Sequence, residues 1–236
     1  MTTTVEHAGP VEPPDDGHGS GNDAAAVGHE ETREERHLKE RIALWLLVAG
    51  DALFLVLELF TWFYLRALNT NGMWRGAACT KANPCTDGLG NPITSEIPKA
   101  AVGWTLIIAA LAVVAAIVVW RVEVAAQRQA PRRLISATAG IAVLVVLAAI
   151  VVQCLQFGHL PFTTIDGSYA SSYEFFMGST VFHLGLLAFI LLGLWLRARA
   201  GKYDKGRWFQ VGLIRFFSVW VAVVTCVLAA TVLLFA

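Results

Sequence analysis

The chain predicts an all-α fold, an integral membrane bundle of five transmembrane helices with the N-terminus cytoplasmic and the C-terminus external. Three observations lead there. Of 236 residues, 56% are hydrophobic and 15% charged, and the formal net charge is zero, which fits an integral membrane protein and gives no basic surface for nucleic acid. Apolar stretches of about 20 residues, enough to cross a hydrocarbon core at 1.5 Å per residue, occur five times. Lys and Arg crowd alternate connections between these stretches, the pattern that orients membrane helices.

Residues 1–30, MTTTVEHAGPVEPPDDGHGSGNDAAAVGHE, are poor in bulky apolar side chains and rich in Pro, Gly and acids, so they read as a disordered acidic tail. No short apolar run follows a basic start, so the first insertion signal is the first span itself. Residues 31–41 mix charges at helical spacing, with Glu35 four residues before Lys39, and predict a cytoplasmic helical lead. The membrane domain then fills 42–236, with spans at 42–65, 101–122, 134–157, 173–196 and 209–235. Their Ala, Val and Leu do not alternate with polar residues, which argues against a β-barrel.

Orientation follows from the charges. Arg33, Arg36, Lys39 and Arg41 precede the first span, Arg121, Arg128, Arg132 and Arg133 flank the second connection, and Arg197, Arg199, Lys202, Lys205 and Arg207 fill the fourth. The third connection has no Lys or Arg. The first opposes the rule mildly, with Arg66, Arg75, Lys81 and Lys99. It also carries AACTKANPC, where Cys79 and Cys85 sit close together on the side assigned as oxidising; a disulfide is the expectation and two free thiols the alternative. Cys154 and Cys226 fall inside spans and read as packing residues.

Depth arithmetic sorts the polar residues inside the spans. At 1.5 Å per residue, Asp51 and His183 both fall near the midplane. Glu58, seven residues on and hence on the same helix face, falls further out, level with Gln153, Gln156 and Glu174, while Arg215 falls in the inner third of the last span. An ionised acid is costly at these depths, so Asp51 and Glu58 have two readings: proton-holding sites in the bundle interior, or polar contacts between helices or subunits. Glu58 is expected to pair with Gln153 or Gln156, and Arg215 to extend inward or meet a partner subunit's carboxylate.

Several stretches resemble one family. WLLVAGDALFLVLELFTWFYLR is similar to the first helix of the five-helix bacterial form of haem-copper oxidase (cytochrome c oxidase) subunit III, with Asp51 at the place of that family's glutamate. VVQCLQFGHL resembles its third helix, matching at Gln153 and His159, with Gln156 in place of a glutamate. YASSYEFFMGSTVFHLG resembles the fourth, with Tyr169, Ser171, Gly178 and His183 in register and Thr180 in place of a histidine. WFQVGLIRFFSVWVAVV resembles the fifth, with Arg215 in place of histidine and Ser218 in place of aspartate. Order and spacing extend the resemblance over about 190 residues.

The resemblance implies a noncatalytic accessory subunit in the bacterial inner membrane, packed on the catalytic subunit I, and with subunit II, of a respiratory terminal oxidase. It implies haem and copper in those partners, none in this chain, and structural phospholipid against its helices. Asp51 and His183 are then proton-handling or interface candidates; Glu58, which the family pattern does not explain, joins them by its depth and face, and Gln153, Gln156, His159, Glu174, Thr180, Arg215 and Ser218 are polar helix-contact candidates, Glu58, Glu174 and Arg215 being charged where the family pattern is not, or not in the same way. A haem-copper centre needs several membrane histidines on facing helices, and only His183 lies deep in a span, so neither catalytic residues nor a metal site are expected here. The alternatives are the accessory subunit of a nitric oxide reductase and a small proton-coupled transporter. The latter predicts inverted repeats or broken helices, which the sequence lacks.

Overall fold

A computed structural model describes residues 32–68, 74, 85–86, 89–90, 92–93, 98–203 and 208–235. Among these residues five helices are long and apolar enough to cross a membrane, and the protein is a multi-pass membrane protein. They are α1 (Arg33–Ala67), α2 (Val102–Gln127), α3 (Arg132–Gly158), α4 (Ser168–Arg199) and α5 (Phe209–Phe235). A two-residue antiparallel pair, β1 (Cys85–Thr86) with β2 (Pro92–Ile93), lies in the connection between α1 and α2. The acidic tail 1–30 and Cys79, with its expected disulfide, lie outside the described residues.

The helix ends follow local chemistry. Thr32 caps α1: its hydroxyl accepts from the Glu35 amide at 3.2 Å, while the Glu35 carboxylate accepts from the Thr32 amide at 2.9 Å, so two otherwise orphaned N–H groups are satisfied reciprocally. The charged lead is therefore continuous with the membrane helix. Its 35 residues make α1 about 52 Å long, well beyond a hydrocarbon core of about 30 Å. Between α3 and α4, Thr163 and Asp166 close a short 3-10 turn at Thr164–Asp166. The chain enters α4 through Gly167 at φ 155°, ψ −179°, a conformation essentially confined to glycine.

Packing is set by small and aliphatic residues repeating at intervals of three and four. Ala112, Ala115, Val119 and Val122 of α2, Ala139, Ala142, Val146 and Ala149 of α3, and Leu184, Leu187, Leu191 and Leu194 of α4 are all fully buried in one core. That spacing is the seam of left-handed helix packing, and alanine on facing seams lets α2 and α3 approach closely. α2 contacts α3 and α5, α3 contacts α4, and α4 contacts α5, so these four close a ring. α1 lies outside the ring against α4 and α5 and is the least buried of the five.

A second core holds the outer half of α1. Trp62 is fully buried, stacked on Phe176 with ring centroids 4.9 Å apart and edge-on to Trp74 at 5.0 Å and Tyr169 at 5.8 Å. Tyr169 is itself tied down: its hydroxyl accepts from the Ala100 amide at 3.1 Å and its own amide donates to the Trp74 carbonyl at 3.1 Å.

At the other end of the bundle, Tyr203 in the α4–α5 connection is buried, and among the described residues its hydroxyl makes no hydrogen bond of full geometry, although Arg197 lies close to it. Burial pushes this phenol above the usual tyrosine value of about 10, and nearby Arg197 only partly opposes the shift. A raised acid pKa means that the unfolded chain releases the proton first, so this contribution to stability is whole below pH ~10 and is lost as pH rises through the folded value. Tyr203→Phe is therefore expected to be about as stable as the native chain at pH 8, since no hydrogen bond of full geometry is lost. Its stability should also fall less steeply above pH ~10. Unfolding curves of both proteins from pH 8 to well above pH ~10 test this; stabilities that fall in parallel above pH ~10 would contradict it.

Candidate functional site: polar contacts within the helix bundle

One polar junction joins α1, α4 and α5. Asp51 of α1 meets His183 of α4, whose Nε2 is 2.9 Å from both carboxylate oxygens, and Trp220 of α5, whose Nε1 donates to Oδ2 at 2.5 Å. The other imidazole nitrogen, Nδ1, lies 2.7 Å from the Ser179 carbonyl of its own helix. A carbonyl can only accept, so Nδ1 carries a hydrogen. One further proton belongs to the Nε2–carboxyl contact: on Nε2 it gives an imidazolium–carboxylate pair, on Asp51 a neutral acid donating to a neutral ring. Either way the junction is neutral overall, which is how an acid is accommodated at this depth. His183 is almost enclosed while Asp51 keeps 20% of its side-chain surface, so the junction sits at the rim of the bundle.

Glu58 lies two turns from Asp51 on the same face, buried to 1% exposure. The Ser179 hydroxyl, His183 and Asp51 stand near its carboxyl, but among the described residues no donor meets full hydrogen-bonding geometry at either oxygen. The expected pairing with Gln153 or Gln156 is not formed. α1 packs on α4 and α5, and the glutamines of α3 bond elsewhere. Gln153 donates to Gln156 at 3.0 Å, and the Gln156 amide reaches Thr105 of α2 at 3.0 Å and the Tyr173 hydroxyl of α4 at 2.5 Å. Thr105 and Tyr173 hydroxyls are 3.2 Å apart, so α2, α3 and α4 are pinned by one buried network. A cavity of about 20 Å³ adjoins it, room for about one water.

A third contact overturns the expectation for Arg215. Its Nε lies 2.9 Å from the Glu123 carboxylate of α2, so it neither simply extends inward nor waits for a partner's acid. Glu123 is buried while 42% of the arginine side chain is exposed. Gly212 makes the approach possible, since a Cβ there would come within 3.1 Å of a Glu123 oxygen. Glu123 escaped the sequence reading because the second span ends there at Val122, whereas α2 continues to Gln127. The signal was available: an acid one residue beyond the apolar run, at the same end of the bundle as an otherwise unexplained arginine.

The remaining candidates have local partners. Thr180 and Ser218 donate to carbonyls four residues back in their own helices, at 2.9 and 2.8 Å, so among the described residues their hydroxyls are satisfied within their own helices. Glu174 accepts from the Thr164 hydroxyl, fastening the connection before α4. His159 lies exposed at the end of α3, its Nδ1 2.7 Å from the Leu155 carbonyl and its ring stacked on Trp104. Sequence reasoning also missed Trp220 and Trp62, both hidden among apolar neighbours. Among the described residues no cluster of three or more His, Cys, Asp or Glu converges as a metal site.

Chemically, this is an interior of polar knots. Two carboxylates have a basic partner on another helix, Asp51 with His183 and Glu123 with Arg215, and an amide–phenol network locks α2 to α3 and α4. Compared with known proteins, the chain matches no family model and no curated relative.

Proposed function

We propose that this chain is a noncatalytic accessory subunit, of the subunit III type, of a respiratory haem-copper oxidase in the bacterial inner membrane, with its N-terminus cytoplasmic. The observation that carries the proposal is the contact between Asp51 and His183. These two residues, 132 apart in sequence, both fall on positions of the first and fourth helices that carry the resemblance, and they are hydrogen-bonded to each other. α1 supports the same reading: beyond Asp51, Glu58 and Trp62 most of its surface is apolar and uncovered, with Leu46, Leu53 and Phe60 each more than 60% exposed. Such a face suits a neighbouring membrane subunit as well as lipid. Haem and copper belong to the partner chains in this reading, and the chain's own part is to brace the catalytic subunit and support proton uptake to it.

Purification of the tagged chain from its native membrane in mild detergent tests the proposal. A reduced-minus-oxidised haem spectrum together with a many-helix, histidine-rich partner is the expected result. Oxygen consumption by that complex assigns an oxidase, and nitric oxide consumption without it assigns the nitric oxide reductase counterpart. A colourless chain that purifies alone overturns both and brings forward a proton-coupled transporter working through Asp51.

A further inference from the structure

At the end of the bundle where Arg215 meets Glu123, a pocket of about 340 Å³ opens between α1, α2 and α5, within the range of about 300–1,000 Å³ usual for small-ligand sites. Its walls are aromatic: Trp45 and Phe216, whose ring centroids are 4.9 Å apart, and Trp208. Its polar groups are the buried Glu123 carboxylate, the partly exposed Arg215 guanidinium 2.9 Å from it, and Arg41, which is held with its Cζ 5.2 Å from the Phe209 ring centroid. Gly212 lines the same pocket, and a Cβ there would come within 3.1 Å of a Glu123 oxygen, so the glycine keeps a side chain off that edge of the carboxylate. An apolar groove of about 680 Å³ begins at the same Arg215 and Phe216 and runs between α2 and α5. Ala116 and Ala222, both buried, form its floor, and from Arg215 to Val227 it follows α5 for about 18 Å.

We propose that pocket and groove together bind one isoprenoid quinol, its ring in the aromatic pocket with a hydroxyl between Glu123 and Arg215, and its tail along the groove. The paired side chains select the head. A carboxylate only accepts and a guanidinium only donates; a phenolic hydroxyl answers both, donating to the first and accepting from the second. A phosphate can only accept, so it would satisfy the arginine while bringing its own charge against the Glu123 carboxylate. The aromatic walls suit a flat ring, and a neutral head can reach the pocket from the hydrocarbon without the cost that a charged one meets there. Length selects a tailed ligand over a bare phenol, because the groove continues for about 18 Å beyond the pocket. The site uses only this chain's surface and goes beyond the oxidase-subunit reading without resting on it.

The test is anaerobic native mass spectrometry of the full chain in neutral detergent, offered equal amounts of a ubiquinol with two isoprene units and its dimethyl ether, which share ring and tail and differ in the hydroxyl hydrogens. The native chain should retain one quinol with a preference of about tenfold over the ether, the equivalent of one hydrogen bond to a charged group, and an equal amount of dioleoyl phosphatidylglycerol should not displace it. Glu123→Gln, which keeps the shape and removes the charge, should lose most of that preference. Val223→Phe, at an exposed position of the groove, leaves every polar group in place and should lower retention of quinol and ether alike. Equal retention of the two compounds by the native chain overturns the proposal without recourse to any variant. So does displacement by phosphatidylglycerol, which would make this a lipid site, a preference that Glu123→Gln leaves intact, or retention that Val223→Phe leaves intact.

Discussion

Replacing His183 with leucine is expected to destabilise the chain by about 2–3 kcal/mol, while Asp51→Asn should cost less than about 1 kcal/mol. Leucine leaves the carboxyl of Asp51 with the Trp220 indole as its one remaining donor, in a setting where an unbalanced charge is strongly unfavourable. Asparagine keeps the architecture: the amide oxygen still accepts from Trp220, and the amide N–H can donate to a neutral Nε2. What it removes is the proton that the acid and the imidazole share. Individual hydrogen bonds between membrane helices are worth about 0.6 kcal/mol on average, which bounds the asparagine effect. Unfolding in mixed micelles at increasing sodium dodecyl sulfate fraction, followed by circular dichroism, would measure both. Equal losses in the two variants would show that the junction acts through shape alone. The pair also separates bracing from proton handling: an assembled complex that is stable but slow with Asp51→Asn would place the shared proton in the function.

Trp62→Ala is expected to cost about 3 kcal/mol, with Leu46→Ala on the uncovered face of the same helix changing stability by less than about 0.5 kcal/mol. Trp62 is fully enclosed by rings from α4 and from the α1–α2 connection, so truncation opens a cavity that cannot close without moving α4. Lipid can solvate apolar side chains, hence the loss comes mainly from dispersion contacts and ring geometry, and Trp62→Phe should recover about half of it. Among the described residues the indole nitrogen has no hydrogen-bond partner, so the phenylalanine variant is expected to sacrifice no bond there. The same detergent titration measures the series; an alanine variant as stable as the native chain would mean that the aromatic cluster does not anchor α1.

The number and type of helices were legible because hydropathy over about 20 residues is the property that lipid selects. The meeting of Asp51 with His183 was half legible: depth arithmetic put both near the midplane, but depth is one coordinate and rotation and adjacency are two others. Glu58 shows the consequence. It is level with polar residues of α3, yet α1 lies outside the ring on α4 and α5, a neighbourhood that no single span encodes. Glu123 was hidden differently, by equating the end of the apolar run with the end of the helix; the backbone continues hydrogen-bonding past the point where side chains turn polar. Trp220 and Trp62 were invisible because in a membrane span an indole reads as one more apolar residue, and only a neighbour's position reveals whether its N–H is used.

The junction at Asp51 also sets a schedule for biogenesis. His183 and Trp220 follow Asp51 by 132 and 169 residues, and synthesis proceeds at roughly 5–20 residues per second. For roughly 7–26 s, then, the newly inserted α1 holds its mid-depth acid in lipid before the histidine has left the ribosome. An aspartate at the centre of an inserting helix costs about 2.5–3.5 kcal/mol, against which each Leu, Phe or Val returns about 0.3–0.6 kcal/mol. The dense Leu and Phe of ALFLVLELF, residues 52–60, offset part of the cost of Asp51 and of Glu58 in their midst, a contribution to keeping α1 inserted until its partners arrive that the finished bundle no longer displays.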